Sequence, residues 1–331
     1  LKEHDPTAYL EAASSAIANA SKTPLLAAEP AAAPARAPSR PRSPAPPSSI
    51  LRVGLVGCSW FALKAHVPAL IDLERARVAT LVACCSRTRK SMARAEERLG
   101  RSLTRHAKME QMFADPNVDV VLLVLPIPMM AAAVAAALRA GKHVISEKPA
   151  AASLELALDV LRLRRDELPA PAPAWAVCEG WAHKPSVRWL RARVEEGAIG
   201  TVLSAELVHH EALGRGASDG WRADGGAFEG GWLLDGGVHW ARLLRYLLGA
   251  PLRASATTSS VALRLGLRGD SMHGWATFEH CAAAVSVALS YGMPPRGAGS
   301  QAPPSLTLHG ERGSLEWWPR DPGNGNGGGG A

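Results

Sequence analysis

Short apolar runs alternate with helical segments from residue 50 to about residue 178, and this alternation limits the fold more than any other feature of the chain. Strands that are separated by helices usually pair in parallel, with the helices on the faces of the sheet. We therefore predict a doubly wound parallel sheet of the Rossmann type. The predicted strands are residues 51–56, 78–85, 119–125, 143–145 and 174–178.

The second half shows a different pattern, in which strand-like segments follow one another with few helices between them. Strands joined by short connections usually pair antiparallel. We therefore predict that an α+β domain with a mostly antiparallel sheet follows the Rossmann domain, so that the whole chain is an α/β protein. The predicted strands are residues 202–209, 252–263, 272–279, 282–291, 306–309 and 314–317.

Changes in composition divide the chain into four predicted parts. Residues 1–50 are rich in proline and alanine, which cannot bury a core, and we predict a disordered tether there. Residues 51–178 form the predicted nucleotide-binding Rossmann domain, and residues 179–320 form an α+β domain for substrate binding and oligomerisation. Residues 321–331 form a flexible glycine-rich tail.

Composition also limits the classes of partner. Hydrophobic residues make up 47% of the 331 residues, enough for two cores, but no uninterrupted apolar stretch of about 18 residues predicts a membrane span. The net charge of +7 comes from arginines interspersed with acidic residues, without a nucleic-acid-binding motif, so we predict no nucleic-acid partner. The five cysteines lack zinc-site spacing and indicate a reducing, cytoplasmic location, with organellar targeting by residues 1–50 left open.

The first predicted strand is followed by Gly57-Cys-Ser-Trp-Phe-Ala62, which has the form of a dinucleotide phosphate turn. Gly57 permits the tight turn, and Ala62 allows the next helix to pack close to the sheet. The backbone N–H groups at the helix start would then face a pyrophosphate. Ser59 replaces the second glycine of the motif, and its hydroxyl can donate to a phosphate oxygen. A small-residue turn without a ligand would have the same composition.

The end of the second predicted strand bears on the choice of cofactor. An acidic residue there would bind the ribose 2′-hydroxyl of NAD. This chain instead has Ser86-Arg87-Thr-Arg-Lys90, and hydroxyls and cations suit the oxygens of a 2′-phosphate. We predict NADP, with NAD as the alternative. A solvated basic helix start would have the same composition.

Glu147-Lys148-Pro149 follows the predicted strand at residues 143–145. In open parallel sheets, ligands bind outside the carboxyl ends of the strands. Lys148 could reach such a ligand with a mobile cationic donor, and Pro149 would fix the backbone behind it, with a cis bond possible in so tight a turn. An ordinary surface lysine is the alternative.

Asp235 and His239 are four residues apart, so on a continuous helix they would project from one face. A carboxylate beside an imidazole orients the ring, and such a pair can remove a proton from a hydroxyl group. The alternative is a helix-start acid near a packed histidine. His209, His210 and His239 lack the helical spacing of a metalloprotease, and we predict no metal.

Together these residues make the chain resemble the Gfo/Idh/MocA oxidoreductase family, which includes glucose–fructose oxidoreductase and inositol dehydrogenase. The resemblance runs from about residue 51 to residue 318. It rests on five motifs in order: Gly57-Cys-Ser-Trp-Phe-Ala62, Asp115-Pro-Asn-Val-Asp119, Gly141-Lys-His-Val with Glu147-Lys-Pro149, Glu196-Gly-Ala-Ile-Gly200, and Gly231 with Asp235-Gly-Gly-Val-His239.

The resemblance implies an NAD(P)-dependent dehydrogenase or reductase that transfers hydride to or from a sugar, a polyol or a related alcohol or carbonyl compound. It implies Lys148 as hydroxyl binder and proton-relay member, His239 as acid/base, and Asp235 as substrate binder or orienter of the histidine. By analogy it also suggests a homo-oligomer formed through the C-terminal sheet. The candidate cofactor-binding residues are Gly57, Ser59, Trp60, Phe61, Ala62, Ser86, Arg87, Lys90, Pro126, Glu147 and Lys148. The candidate substrate-binding residues are Trp181, His183, Trp221 and Arg222.

Several positions depart from the family pattern. Leu125-Pro-Ile127 stands where the family often has Thr-Pro-Asn, Met130 stands near a frequent histidine, and Ala241 stands where an aspartate is frequent. The missing polar groups near residue 125 would help to hold the nicotinamide ribose. The alternative function is therefore a non-catalytic dinucleotide-binding regulatory protein of the same fold, whereas the retained acid–base residues favour an enzyme.

Overall fold

The computed structural model describes residues 50–211, 222, 230–261, 269–293 and 305–319. The predicted tether, apart from residue 50, and the predicted tail lie outside these residues. No helix in the described ranges is long and apolar enough to cross a bilayer.

Six parallel strands among the described residues form the sheet of the first half. They are β1 (Leu51–Val56), β2 (Ala79–Cys85), β3 (Thr104–His106), β4 (Val120–Leu123), β5 (His143–Glu147) and β6 (Trp175–Cys178). Their order is β3-β2-β1-β4-β5-β6, which reverses direction between β1 and β4. This is the predicted doubly wound order, in which the ends of β1 and β4 flank the position where ligands bind.

Helices cover both faces of this sheet. They are a π-helical turn (Ala62–His66) that leads into α1 (Val67–Arg75), then α2 (Arg89–Leu99), α3 (Met109–Ala114), α4 (Ile127–Arg139), and α5 (Leu154–Arg162) with a second π-helical turn (Leu163–Glu167). The Thr88 side chain caps α2 by accepting from the backbone N–H of Ser91, and Gly100 ends the helix in the left-handed conformation.

The sequence of β4 does not alternate between apolar and polar residues, and its position in the sheet explains this. All four of its residues are buried, because helices cover the sheet on both sides. Val121 and Leu123 pack with Met130 of α4 on one face. Val120 and Leu122 belong to the core cluster on the other face.

The second half is built on a second sheet. Its described strands are β7 (Val202–His210), β8 (Pro251–Ser259), β9 (Ser271–Phe278), β10 (Val285–Ser290), β11 (Leu306–Gly310) and β12 (Gly313–Trp317). The order is β12-β11-β7-β10-β9-β8, and only the β7–β10 pairing is parallel among these strands. The mostly antiparallel sheet is therefore confirmed.

Three helices accompany this sheet in the described residues: α6 (Pro185–Glu195), α7 (Gly231–Asp235) and α8 (Gly237–Leu248). A 3-10 turn (Trp181–His183) precedes α6. Leu243 and Leu247 of α8 are buried in one cluster with Leu207 of β7 and Leu289 of β10. This packing places the start of α8 beside the chain that leaves β6, where Trp181 contacts Trp240.

Two elements of the first half were not predicted from the sequence. β3 has only three residues, Thr-Arg-His, and shows no apolar run that would mark it as a strand. α3 has six residues and is too short to show a helical repeat. The sequence also predicts a helix around residues 236–248, ahead of the run of strand-like segments. This helix is present as α8, and Gly236 separates it from the short helix α7.

Gly57, in the predicted phosphate turn, has a backbone conformation and surroundings that leave no room for a side chain. Its φ is +93°, and a Cβ added there would lie 2.1 Å from the carbonyl oxygen of Val124. We expect Gly57→Ala to lower the free energy of unfolding by about 3 kcal/mol or more, because strain and collision act together. Urea unfolding followed by circular dichroism measures the change.

Gly100→Ala is the matched control. Gly100 also has a positive φ, of +72°, but an added Cβ would meet nothing within 4 Å. This variant should lose only about 1 kcal/mol, the conformational cost alone. Equal losses in the two variants would contradict the role of the close approach to Val124.

Candidate active site

Lys148 lies directly after β5, at the carboxyl end of the parallel sheet, and its bond to Pro149 is cis. The Nζ atom of Lys148 donates to Oδ1 of Asp235 at 2.7 Å and to the carbonyl oxygen of Asp235 at 2.7 Å. Asp235 is the last residue of α7. This ion pair therefore joins the end of a Rossmann strand to a helix of the second half.

Asp235 carries a buried charge that is held by two cations. Its side chain is 5% exposed, and its second carboxylate oxygen accepts from Arg222, with Nε at 2.8 Å and Nη2 at 2.7 Å. Burial acts to raise the pKa of Asp235, but the charges of Lys148 and Arg222 outweigh it and lower that pKa. The carboxylate is therefore ionised at neutral pH.

His239 lies in the first turn of α8, and its carboxylate neighbour is Glu179. The Nδ1 atom of His239 is 2.5 Å from Oε2 of Glu179, while Oε1 of Glu179 accepts from the backbone N–H of Trp181. The interpretation of Asp235 as the residue that orients the histidine is wrong. Gly236 interrupts the helix between them, and the carboxylate of Asp235 is taken by Lys148 and Arg222.

Trp181 fixes the plane of the His239 ring. The two rings stack with their centroids 5.0 Å apart and an interplanar angle of 8°. Trp181 in turn lies against Trp240 and Trp317, both of which are buried in the second core. With Nδ1 facing Glu179, Nε2 of His239 is the nitrogen that can exchange a proton with a substrate.

The Lys148–Asp235 ion pair and the His239–Glu179 contact belong to one cluster. Burial acts to raise the pKa of Glu179, but the close contact of His239, the backbone N–H of Trp181 and the charge of Lys148 together lower it. Lys148 thus acts electrostatically on the partner of His239 as well as on Asp235. An ammonium and an imidazole, each held by its own carboxylate, can bind a hydroxyl group and take its proton.

Glu147 is also fully engaged by protein groups. Its Oε1 is 2.7 Å from Nε2 of His66, and its Oε2 accepts from the backbone N–H of Lys148 at 3.1 Å. The carboxylate predicted to bind the cofactor therefore supports the turn that carries Lys148. Burial and the charge of Glu147 raise the pKa of the nearby Cys178 thiol to about 11.

The predicted phosphate turn has the expected strand–turn–helix context. The hydroxyl of Ser59 accepts from the backbone N–H of Ala62, and Ala62 is completely buried, as close helix packing requires. Trp60 and Phe61 are exposed at the helix start. Pro126 lies directly before α4, three residues after β4, which is the strand that pairs with β1.

The end of β2 carries the predicted 2′-phosphate residues. Ser86 is half-buried, whereas Arg87 and Lys90 are exposed.

Of the candidate substrate-binding residues, Trp181 and Arg222 are in the cluster described above, and His183 is exposed at the end of the 3-10 turn. Trp221 lies outside the described residues.

Comparisons with known proteins match both halves of the chain. The model for the oxidoreductase family, NAD-binding Rossmann fold, matches residues 51–167, and the GFO/IDH/MocA C-terminal domain model matches residues 187–316. The chain belongs to the Gfo/Idh/MocA family.

Two curated members of this family illustrate the range of relatives. A dTDP-3,4-didehydro-2,6-dideoxy-alpha-D-glucose 3-reductase of Streptomyces violaceoruber is 32% identical over 73% of this chain and 67% of its own length. A 1,5-anhydro-D-fructose reductase of Ensifer adhaerens is 30% identical over 69% of this chain and 66% of its own length. The chain thus spans about two thirds of these relatives, and 58% of a Fusarium mangiferae dehydrogenase.

A solved structure of the same fold is an oxidoreductase from Thermotoga maritima. It has a TM-score of 0.70 and 27% sequence identity, and the match covers 81% of this chain and 78% of that chain. The Rossmann sheet followed by a mostly antiparallel second sheet is therefore the arrangement of a known member of the structural class.

Glu179 and His66 were not predicted as site residues in this family member. Glu179 follows β6 directly, so the rule that pointed to Lys148 after β5 could also have pointed to it. His66 gave no such signal. It lies 81 residues before Glu147, and only the folded sheet brings the two side chains together.

The lowered pKa of Glu179 predicts a dependence of stability on pH. Because its folded pKa lies below the ordinary value of 4.5, the unfolded state binds more protons as the pH falls. The stabilisation is present at neutral pH and is lost in acid. The free energy of unfolding of the wild type should therefore fall more steeply between about pH 5 and about pH 3 than that of Glu179→Gln.

Urea unfolding at a series of pH values measures both slopes. Glu195→Gln is the control, because the Glu195 side chain is 58% exposed and pairs with Arg191 on the surface of α6. This variant should keep the wild-type slope. The same slope in wild type and Glu179→Gln would show that the Glu179–His239 contact does not hold the charge as described.

Proposed function

We propose that this chain is an NADP-dependent oxidoreductase that transfers hydride to or from a sugar, a polyol or a related alcohol or carbonyl compound. The observation that carries the proposal is the cluster of Lys148 and His239, each paired with a buried carboxylate at the carboxyl end of the parallel sheet. The sugar reductases among the relatives support the substrate class.

The residues at the sheet end fit a dinucleotide. The positive φ of Gly57 and its close approach to Val124 create the tight turn that a pyrophosphate needs, and the start of the next helix offers backbone N–H groups. When bound, the nicotinamide supplies the acceptor or donor of hydride. β4 and β5 are the next two strands after β1 in the sheet. The end of β4 and Lys148, which follows β5, would therefore border the nicotinamide of such a cofactor.

His239 handles the proton in this mechanism. In the oxidative direction, Nε2 of His239 accepts the hydroxyl proton of the substrate, while the ammonium of Lys148 stabilises the developing alkoxide. The carboxylate of Glu179 stabilises the imidazolium that forms, because it faces Nδ1. The carboxylate of Asp235 keeps Lys148 oriented. In the reductive direction the same groups return the proton to the carbonyl oxygen.

NADP is the proposed cofactor because of the charges after β2. Arg87 and Lys90 are exposed, and no ion pair to another described residue is found for either of them. Cations that are not neutralised by the protein suit the two negative charges of a 2′-phosphate. Ser86 adds a hydroxyl at the same strand end.

The second sheet suggests how copies of the chain associate. Every residue of β8 is exposed, and Leu203, Leu252 and Trp275 are large apolar side chains exposed on the strands of this sheet. We propose a homo-oligomer that covers this sheet.

The five free cysteines fit the proposed reducing, cytoplasmic setting.

Hydride transfer is tested by absorbance at the nicotinamide band with a panel of sugars, polyols and simple carbonyl compounds. Lys148→Ala should lower kcat by about 10²-fold to 10⁴-fold with the best substrate, because the alkoxide loses its cation. Lys108→Ala, which alters an exposed lysine before α3, should keep the activity. Undiminished activity of Lys148→Ala would contradict its role. NADP binding without turnover of any substrate would favour the non-catalytic regulatory protein.

Cofactor preference is tested by titrating tryptophan fluorescence with NADP and NAD. The double substitution Arg87→Ala with Lys90→Ala should weaken NADP binding by about tenfold or more, the cost of losing charge-assisted hydrogen bonds, and should leave NAD binding within about twofold. Arg139→Ala, at the exposed end of α4, is the control and should change neither affinity. Equal losses for both cofactors would contradict a 2′-phosphate contact.

A further inference from the structure

The side chains of His66, Glu147 and Cys178, which carry metal-binding atoms, lie close together next to the proposed catalytic cluster. Nε2 of His66, one carboxylate oxygen of Glu147 and Sγ of Cys178 all lie within 4.8 Å of one another. His66 ends the π-helical turn after the phosphate turn, while Glu147 and Cys178 are the last residues of β5 and β6. Two strands of the parallel sheet and one helical turn therefore contribute one donor each.

The donor set has the chemistry of a zinc site. Imidazole nitrogen, carboxylate oxygen and thiolate sulfur are the three kinds of protein ligand that Zn²⁺ binds. A thiolate from Cys178 and the carboxylate of Glu147 together carry two negative charges, which balance a divalent ion. A neutral assembly of this kind avoids the cost of an unpaired charge in a site where the His66 and Glu147 side chains are only 14% and 11% exposed.

The geometry needs small side-chain adjustments only. Ligand atoms about 2.0–2.3 Å from a tetrahedral ion are about 3.3–3.7 Å from one another. The His66–Glu147 contact of 2.7 Å would have to widen, and the thiol would have to move inward. The second oxygen of Glu147 accepts from the backbone N–H of Lys148, which is the outer contact that orients a ligating carboxylate.

Contrary to the sequence-based expectation of no metal, we propose that His66, Glu147 and Cys178 bind one divalent transition-metal ion of the zinc class, with the fourth position left to water. The residues that follow Glu147 and Cys178 are Lys148 and Glu179, members of the catalytic cluster. An ion held here fixes the ends of β5 and β6 relative to each other. It thereby sets the separation between the substrate-binding lysine and the partner of His239, without contacting the substrate.

Cobalt titration tests the site directly, because Co²⁺ replaces Zn²⁺ and gives a visible spectrum. The full chain is stripped with a chelator, kept reduced with a phosphine and titrated with Co²⁺. One equivalent should produce a thiolate-to-cobalt charge-transfer band together with the intense ligand-field bands of a tetrahedral ion, and Zn²⁺ should abolish both. Neither NADP nor a substrate is present, so failure here is distinct from failure of the proposed function.

Variants assign the ligands. Cys178→Ser should remove the charge-transfer band, and His66→Gln, whose amide can still donate to Glu147, should weaken Co²⁺ binding by more than about tenfold, the lower limit for outer-shell partners alone. Cys281→Ser is the control and should keep the full spectrum, because Cys281 lies after β9 in the second half. Circular dichroism confirms that each variant is folded. The absence of a charge-transfer band, or a band that persists in folded Cys178→Ser, would overturn the proposal.

Discussion

The buried ion pair between Lys148 and Asp235 is the interaction on which the proposed catalytic cluster depends. It joins the end of β5 to α7 and places a cation and a carboxylate where little water can solvate them. Breaking a buried pair by removing one partner typically costs about 3–5 kcal/mol, whereas apolar replacements of similar shape are often tolerated. A protein selected for stability alone has little reason to keep such charges. The proposed catalytic role gives a reason for their presence beside the carboxyl end of β5.

Most of the fold could be predicted from the sequence, because both cores impose clear patterns. The continuous apolar run of β4 reflects a strand covered on both faces, and α2 shows its start at Thr88 and its end at Gly100. β3 could not be predicted, because a three-residue polar strand at the sheet edge is defined by its pairing with β2 rather than by its own residues. The short helix α7 before Gly236 was also missed, because five residues are too few to show a helical repeat.

Candidate site residues could be predicted where they follow the carboxyl end of a parallel strand. The contacts between their side chains could not be predicted. Lys148 was predicted because it follows a strand, and the structure places its side chain against Asp235. The spacing of Asp235 and His239 suggested that they act on each other, but each is paired instead with a residue that follows a strand of the parallel sheet. Long-range partners such as Glu179 for His239 are set by tertiary packing, and a spacing within one segment carries no information about them.

Gly236 has a wider consequence. A Cβ at this position would lie 2.5 Å from the hydroxyl oxygen of the buried Tyr291, so only glycine fits where the chain passes from α7 to α8. The last residue of α7, Asp235, contacts Lys148 after β5. The first turn of α8 carries His239, which contacts Glu179 after β6. This one motif thereby contacts the ends of two adjacent strands, so the distance between β5 and β6 sets the distance between Lys148 and the His239 ring.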